Sequence, residues 1–283
     1  MFAEAFEYHT PASVEEAVGL LGQYGDDAKV VTGGMSLIPL MKLRLAAPKH
    51  LIDLRKISGL AGVSESGSHL EIGARTTHYA LESSALLQAK CPLVAQTASE
   101  IGDMQVRNQG TIGGSLAHAD PAADLPAAMV ALEAQLTLTG KSERTVSAKD
   151  FFVDMFTTDL KPGEILTKIT VPTTGKNTAY LKMPQPASGF ALVGVAVCLE
   201  MDGQHCTKAN IGITGVSNTV FRASAVEQAL AGKSLDDETI GKAADMVEQD
   251  IEDPMEDPLN ASADYRINLA KVFTARAIRK ALA

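Results

Sequence analysis

Two short segments of the chain share one pattern. Thr32 to Ser36 reads TGGMS and closes an apolar run, and Thr111 to Ser115 reads TIGGS. Each sets a glycine pair (Gly33 and Gly34; Gly113 and Gly114) ahead of a serine (Ser36; Ser115). Glycine lets the backbone turn with positive φ and lets a ligand approach the main chain closely. Successive amides in such a turn make an anion-binding concavity. A serine hydroxyl adds a donor, and a helix starting just beyond adds a favourable dipole. The pattern is neither the G-x-G-x-x-G fingerprint nor a P-loop. No lysine or arginine sits beside either pair. Two such loops converging on one pyrophosphate suit an enclosed dinucleotide. A triphosphate with Mg²⁺ would call for a P-loop lysine. Either pair alone is more often a plain turn; their repetition carries the functional reading.

The surrounding pattern is α+β. Ser13 and Glu16 make a capping box ahead of an amphipathic run (Val14, Ala17, Val18, Leu21), which Gly25 can close. Short strands are expected at 29–32 and 49–54, with a helix between them that carries Pro39 in its first turn. Residues 1–55 thus read as a small β-α-β-α-β unit. Residues 56–175 read as strands at 69–74 and 164–172, helices over 78–90 and 93–103, the second glycine loop, and a helix-to-strand passage over 127–140. Beyond a boundary near 173–177, the chain reads as a three-stranded antiparallel meander followed by helices, a C-terminal domain over 176–283. The acidic, proline-punctuated stretch 248–258 reads as a solvated loop.

Composition excludes several classes. The net charge of −9 argues against a nucleic-acid partner. No basic leader and no long apolar run are present, so neither a signal peptide nor a membrane span is expected. Cys91, Cys198 and Cys206 are scattered and odd in number, which fits reduced thiols in the cytoplasm. Cys198 and Cys206 either face each other across neighbouring strands or are simply buried small residues. His118, Asp120 and Asp124 lack convincing zinc spacing. No C-x-x-C pair and no G-x-S-x-G elbow occur, so neither an iron–sulfur cluster nor a hydrolase nucleophile is assigned to this chain. Asp124 reads both as a carboxylate for a ribose or ring N–H and as the N-cap of the helix before Pro126.

The passages TGGMSLIPLMKLRLA and VRNQGTIGGSLAHADPAADLPA together resemble the FAD-binding medium subunit of the molybdenum hydroxylases. That family includes aerobic carbon monoxide dehydrogenase and xanthine dehydrogenase, and the resemblance covers nearly the whole chain. It implies a two-subdomain FAD-binding fold with a C-terminal flavoprotein domain. It implies that Thr32, Gly33, Gly34, Met35, Ser36 and Leu37 wrap the FAD pyrophosphate together with Thr111, Ile112, Gly113, Gly114 and Ser115. It places the family's aspartate at Asp124, an apolar residue near the flavin at Leu166 and a lysine at Lys182. Met35 departs from the family, which usually has a polar residue there.

No His or Cys lies inside either glycine motif, so a non-covalent FAD is expected. No general acid or base stands in the motifs, as befits a chain whose redox chemistry belongs to its cofactor. The resemblance further implies a large molybdenum-cofactor subunit and a small subunit with two [2Fe–2S] clusters, assembled as a dimer of heterotrimers. Electrons would run from the clusters through FAD to an external acceptor. A self-contained FAD-dependent oxidase or reductase, and a scaffold that has lost its nucleotide, are the competing readings.

Overall fold

The computed structural model describes residues 2–283. The first unit is β1 (Glu7–His9), α1 (Val14–Tyr24), β2 (Ala28–Val31), α2 (Leu37–Lys42) and β3 (His50–Asp53). Its sheet runs β1-β3-β2, with both outer strands parallel to β3. Ser13 accepts the Glu16 amide as expected, while the Glu16 carboxylate reaches back to the Ala12 amide. Gly25 stops α1 at φ +53°, and Ala17, Ala28 and Ile52 bury the face between helix and sheet.

The second unit contains β4 (Val63–Ser66), β5 (His69–Gly73), α3 (His78–Glu82), α4 (Ala85–Lys90), α5 (Pro92–Ser99), α6 (Met104–Gln109), α7 (Ile112–His118) and α8 (Asp124–Ala131). It continues through β6 (Gln135–Thr139), β7 (Glu143–Ser147), α9 (Ala148–Phe151), β8 (Phe152–Asp154), β9 (Thr157–Thr158) and β10 (Ile165–Pro172). Five strands form one antiparallel sheet, β4-β5-β10-β6-β7. The helix expected over 78–90 is two helices. Ser84 caps a fresh start by accepting the Leu87 amide, because a serine hydroxyl competes with the helix ladder. The second expected helix stops at Ser99 rather than 103.

The C-terminal unit is β11 (Thr178–Pro184), β12 (Ala191–Asp202), β13 (His205–Thr214), β14 (Phe221–Arg222), α10 (Ser224–Leu230), α11 (Asp237–Asp245) and α12 (Ala263–Leu282). The expected three-stranded meander is present, and the two residues of β14 extend it to four strands on the β13 edge. Cys198 pairs with Asn210 and Cys206 with Met201, so these two thiols do not face each other. All three cysteines are free.

Helix α8 lies between the last two units. It is buried along its whole length. A Cβ on Gly212 of β13 would sit 2.1 Å from the Ala127 carbonyl oxygen, so glycine alone lets strand and helix touch. Tyr180 and Ala196 of the C-terminal sheet share one core with Leu125, Met129 and Phe151. Among the described residues, no helix is long and apolar enough to cross a membrane.

Candidate dinucleotide-binding site

A cleft of about 550 Å³ opens where the three units meet. Pockets of this size hold cofactor-sized ligands. Its floor is the turn between β2 and α2. There Gly34 takes φ +73° and Ile38 donates its amide to the Gly34 carbonyl, 3.0 Å away. Among the described residues, the amides of Gly33, Gly34, Met35, Ser36 and Leu37 find no acceptor. Ser36 caps α2 without a side-chain hydrogen bond, which leaves its hydroxyl free at the cleft. A run of free donors beside a cavity is an anion cradle. Helix α2 has only six residues, so the amides rather than a macrodipole supply the attraction.

The second motif is built differently from the expected loop. Gly113 and Gly114 lie inside α7, and their amides are already taken. Ile112 donates to the Thr76 carbonyl, Gly113 to the Ala74 carbonyl at 2.8 Å, and Gly114 to the Thr111 hydroxyl. Ile112 is fully buried in the core and does not border the cleft. This motif borders the cavity through Thr111, Gly113, Gly114 and Ser115, of which Gly114 is exposed and Ser115 half-buried.

The glycines also serve packing. A Cβ on Gly33 would lie 2.1 Å from the Gln109 carbonyl oxygen, and one on Gly113 would lie 2.6 Å from the Ala74 Cβ. The hydroxyls of Thr32 and Thr111 meet at 2.7 Å. The two motifs are therefore pressed together, backbone against backbone, as the seam between the first and second units.

Asp124 stands at the first position of α8, but Ala123 is the cap and no side chain caps the helix. The cap reading of Asp124 is therefore overturned. Its carboxylate turns instead to the C-terminal sheet. Tyr180 Oη donates to Oδ1 at 2.6 Å, and Lys182 Nζ lies 3.1 Å from Oδ1 and 3.2 Å from Oδ2. Burial pushes the Asp124 carboxyl up to about 6, against the opposing pull of Lys182 and the Tyr180 hydrogen bond. Burial, with the Asp124 charge beside it, also raises the Tyr180 phenol. Gly194 makes room for that phenol, since a Cβ there would sit 2.2 Å from Oη.

Lys182 does not line the cleft. Its ammonium is buried and also donates to the Glu100 and Gly189 carbonyls, so it acts from behind Asp124. Leu166 borders the cavity where β10 shifts register against β6. Met35 is 39 % exposed at the rim. The His118 ring lies 5.1 Å from Phe156, and Asp120 accepts the Ala122 amide, which makes both part of the cleft wall rather than a metal set.

His78, Phe156 and Phe190 are among the lining residues that escaped the sequence reading. His78 is 96 % buried by its 4 % exposure, its Nδ1 has no partner, and burial with the Arg107 charge lowers its pKa to about 4. Phe156, at φ +53°, and Phe190 also line the cleft. None belongs to a local motif; only their convergence in space marks them.

A main-chain anion cradle at the end of a parallel strand, opening on a cofactor-sized cleft at a domain junction, is the kind of site dinucleotide-binding proteins build. Residues 4–174 match the model of the FAD-binding domain in molybdopterin dehydrogenase, and residues 178–281 match the carbon monoxide dehydrogenase flavoprotein C-terminal domain. The chain belongs to this family, as an FAD-binding medium subunit of the carbon monoxide dehydrogenase and xanthine dehydrogenase type.

It is 42 % identical to the carbon monoxide dehydrogenase medium chain of Afipia carboxidovorans, over 100 % of this chain and 99 % of the relative. It is 36 % identical to the glyceraldehyde dehydrogenase medium chain of Sulfolobus acidocaldarius, over 99 % of each. A solved carbon monoxide dehydrogenase from Hydrogenophaga pseudoflava superposes with a TM-score of 0.96 at 44 % identity, over 100 % of this chain and 99 % of that one. These relatives are dehydrogenase subunits, and this chain is an oxidoreductase subunit.

Proposed function

We propose that the chain holds FAD non-covalently in this cleft and passes electrons through it, from [2Fe–2S] clusters of a small partner subunit to an external acceptor. Substrate oxidation would take place on a large molybdenum-cofactor subunit, with the three chains assembled as a dimer of heterotrimers in the cytoplasm. The carrying observation is the row of unpartnered amides at Gly33–Leu37. They are donors with no internal acceptor, and a pyrophosphate supplies one. The residues present fit the cofactor. The Ser36 and Ser115 hydroxyls border the same cavity, Leu166 offers an apolar wall, and Asp124 stands buried at its inner end. Ile112 and Lys182 enter the site only indirectly, Ile112 through the packing of α7 and Lys182 by holding the Asp124 carboxylate. A main-chain cradle also explains how Met35 is tolerated, since its amide donates whatever its side chain.

The flavin, when bound, supplies the redox chemistry by accepting electrons and releasing them again. The chain's own residues bind it, orient it and set the electrostatics around it. No carboxylate or imidazole in the cradle is placed to activate a substrate, which supports an electron-transfer role over a self-contained oxidase. Free cysteines support a reducing compartment. The matched regions support reading 1–175 (subdomains 1–55 and 56–175) and 176–283 as the two domains.

The test is purification without a tag from the native host, followed by an absorbance spectrum, metal analysis and mass spectrometry of the released small molecule. FAD with two copurifying chains, iron and molybdenum is the expected result. FAD on an isolated chain that turns over a substrate alone would replace this proposal with a self-contained flavoenzyme. Absence of flavin, with no uptake of added FAD, would remove the cradle assignment altogether.

A further inference from the structure

Outside the residues that line the cleft, the edge of the first sheet brings two histidines and a glutamate to one point. Glu7 and His9 lie two apart on β1 and so project from the same face, and Glu7 is the register partner of His50 on β3. His9 Nε2 and His50 Nδ1 are 3.2 Å apart. Glu7 Oε2 lies 3.4 Å from His50 Nδ1 and 3.9 Å from His9 Nε2. Tetrahedral zinc, with bonds of about 2.05 Å, separates its ligand atoms by about 3.3 Å. The three atoms thus already stand near the edge lengths of a zinc coordination triangle.

We infer that Glu7, His9 and His50 form a binding site for one divalent first-row cation of the zinc class, with an open fourth position for water. A hydrogen-bonded cluster is the competing account, and the geometry disfavours it. One proton on His50 Nδ1 can serve His9 and Glu7, but the third edge then sets two lone pairs facing each other. A cation at the centre satisfies all three atoms. Two imidazoles and one carboxylate are the donor set zinc takes in open sites. The rings are also held in place. Tyr24 stacks on His50 with centroids 3.6 Å apart and planes at 12°, and its ring lies 5.2 Å from His9. The histidine side chains are 20 % and 16 % exposed, so an ion can enter from solvent. Bound there, it would pin the three-residue β1 to β3, the strand that also supports the β2 cradle.

The test uses the full chain, stripped with a chelator and titrated with Zn²⁺ by calorimetry, with Co²⁺ as an optical probe. The expected result is one Zn²⁺ per chain, intense visible Co²⁺ bands of a four-coordinate site, and a rise in melting temperature on loading. The double variant His9→Gln/His50→Gln should lose the ion, the bands and the rise. Glu7→Gln, at a side chain 71 % exposed and so neutral to folding, should weaken binding on the order of tenfold. Absence of uptake by the wild type, or wild-type affinity retained in Glu7→Gln or in the double variant, would overturn the site.

Discussion

Asp124 shows what one residue can carry. In the folded chain its carboxyl holds a proton up to about pH 6, against an ordinary value of 3.8. Between those values the folded form binds more protons than the unfolded form. Stability therefore falls as pH rises through that window and levels off above it. At about 1.4 kcal/mol per unit, the loss is on the order of 3 kcal/mol. His78, whose imidazole stays neutral down to about pH 4, makes an opposite contribution over much of the same window, so urea unfolding at several pH values should show the Asp124 fall as the difference between the wild type and a variant without the carboxyl. Asp124→Asn alone leaves the buried Lys182 ammonium with only carbonyl partners and should destabilise the chain by roughly 3–5 kcal/mol near neutrality. Adding Lys182→Met removes the stranded charge, so the double variant should regain much of that loss and lack the Asp124 fall over the window, keeping the rise that His78 gives. A double variant no better than the single would break the assigned coupling. None of this was visible in the sequence, where Asp124 sits before Pro126 like an ordinary helix cap. Its true partners are 56 and 58 residues away.

At the level of elements, the two glycine motifs look alike in letters and differ in function. The first is a turn whose amides are free, and the second is a helix whose amides are used. The sequence marked both correctly as places where backbone comes close, but not what it comes close to. Glycine at two consecutive helical positions costs about 1 kcal/mol each, which is why α7 reads as a loop. Contact with Ala74 and with the Thr32–Thr111 hydroxyl pair outweighs that cost. Likewise β4, with the sequence VSES, carries no apolar alternation and escaped notice, because only pairing with β5 makes it a strand.

Gly33→Ala tests the seam. Its methyl would have to displace the Gln109 backbone, and a loss on the order of 3 kcal/mol with reduced FAD occupancy is expected. Gly22→Ala in α1, where a Cβ meets nothing within 4 Å, should instead stabilise by up to about 1 kcal/mol. Thermal melts of the two variants give the comparison. Equal melting temperatures would mean that the contact at Gly33 relaxes freely.

On the scale of the whole molecule, the unit boundary near 173–177 is a boundary of sequence more than of packing. Local pattern located β10 by its alternation and β11, β12 and β13 by apolar runs bounded by turn residues, β12 and β13 being buried on both faces over most of their length. It gave no sign that α8 is shared. Tyr180 enters the core of the second unit, and Thr214 donates to the Pro121 and Ala123 carbonyls just before α8. Residues 1–175 expressed alone should therefore expose one face of α8, unfold non-cooperatively and fail to retain FAD. Circular dichroism melts and flavin content check this, and a sharp transition with bound flavin would show the two parts to be separable.

The free amides of Gly33–Leu37 carry one more consequence for a molecule of net charge −9. No lysine or arginine stands within that turn to be screened by dissolved ions. A pyrophosphate gripped there depends on fixed short-range dipoles rather than on attraction across solvent. A cofactor held there should stay seated in concentrated salt.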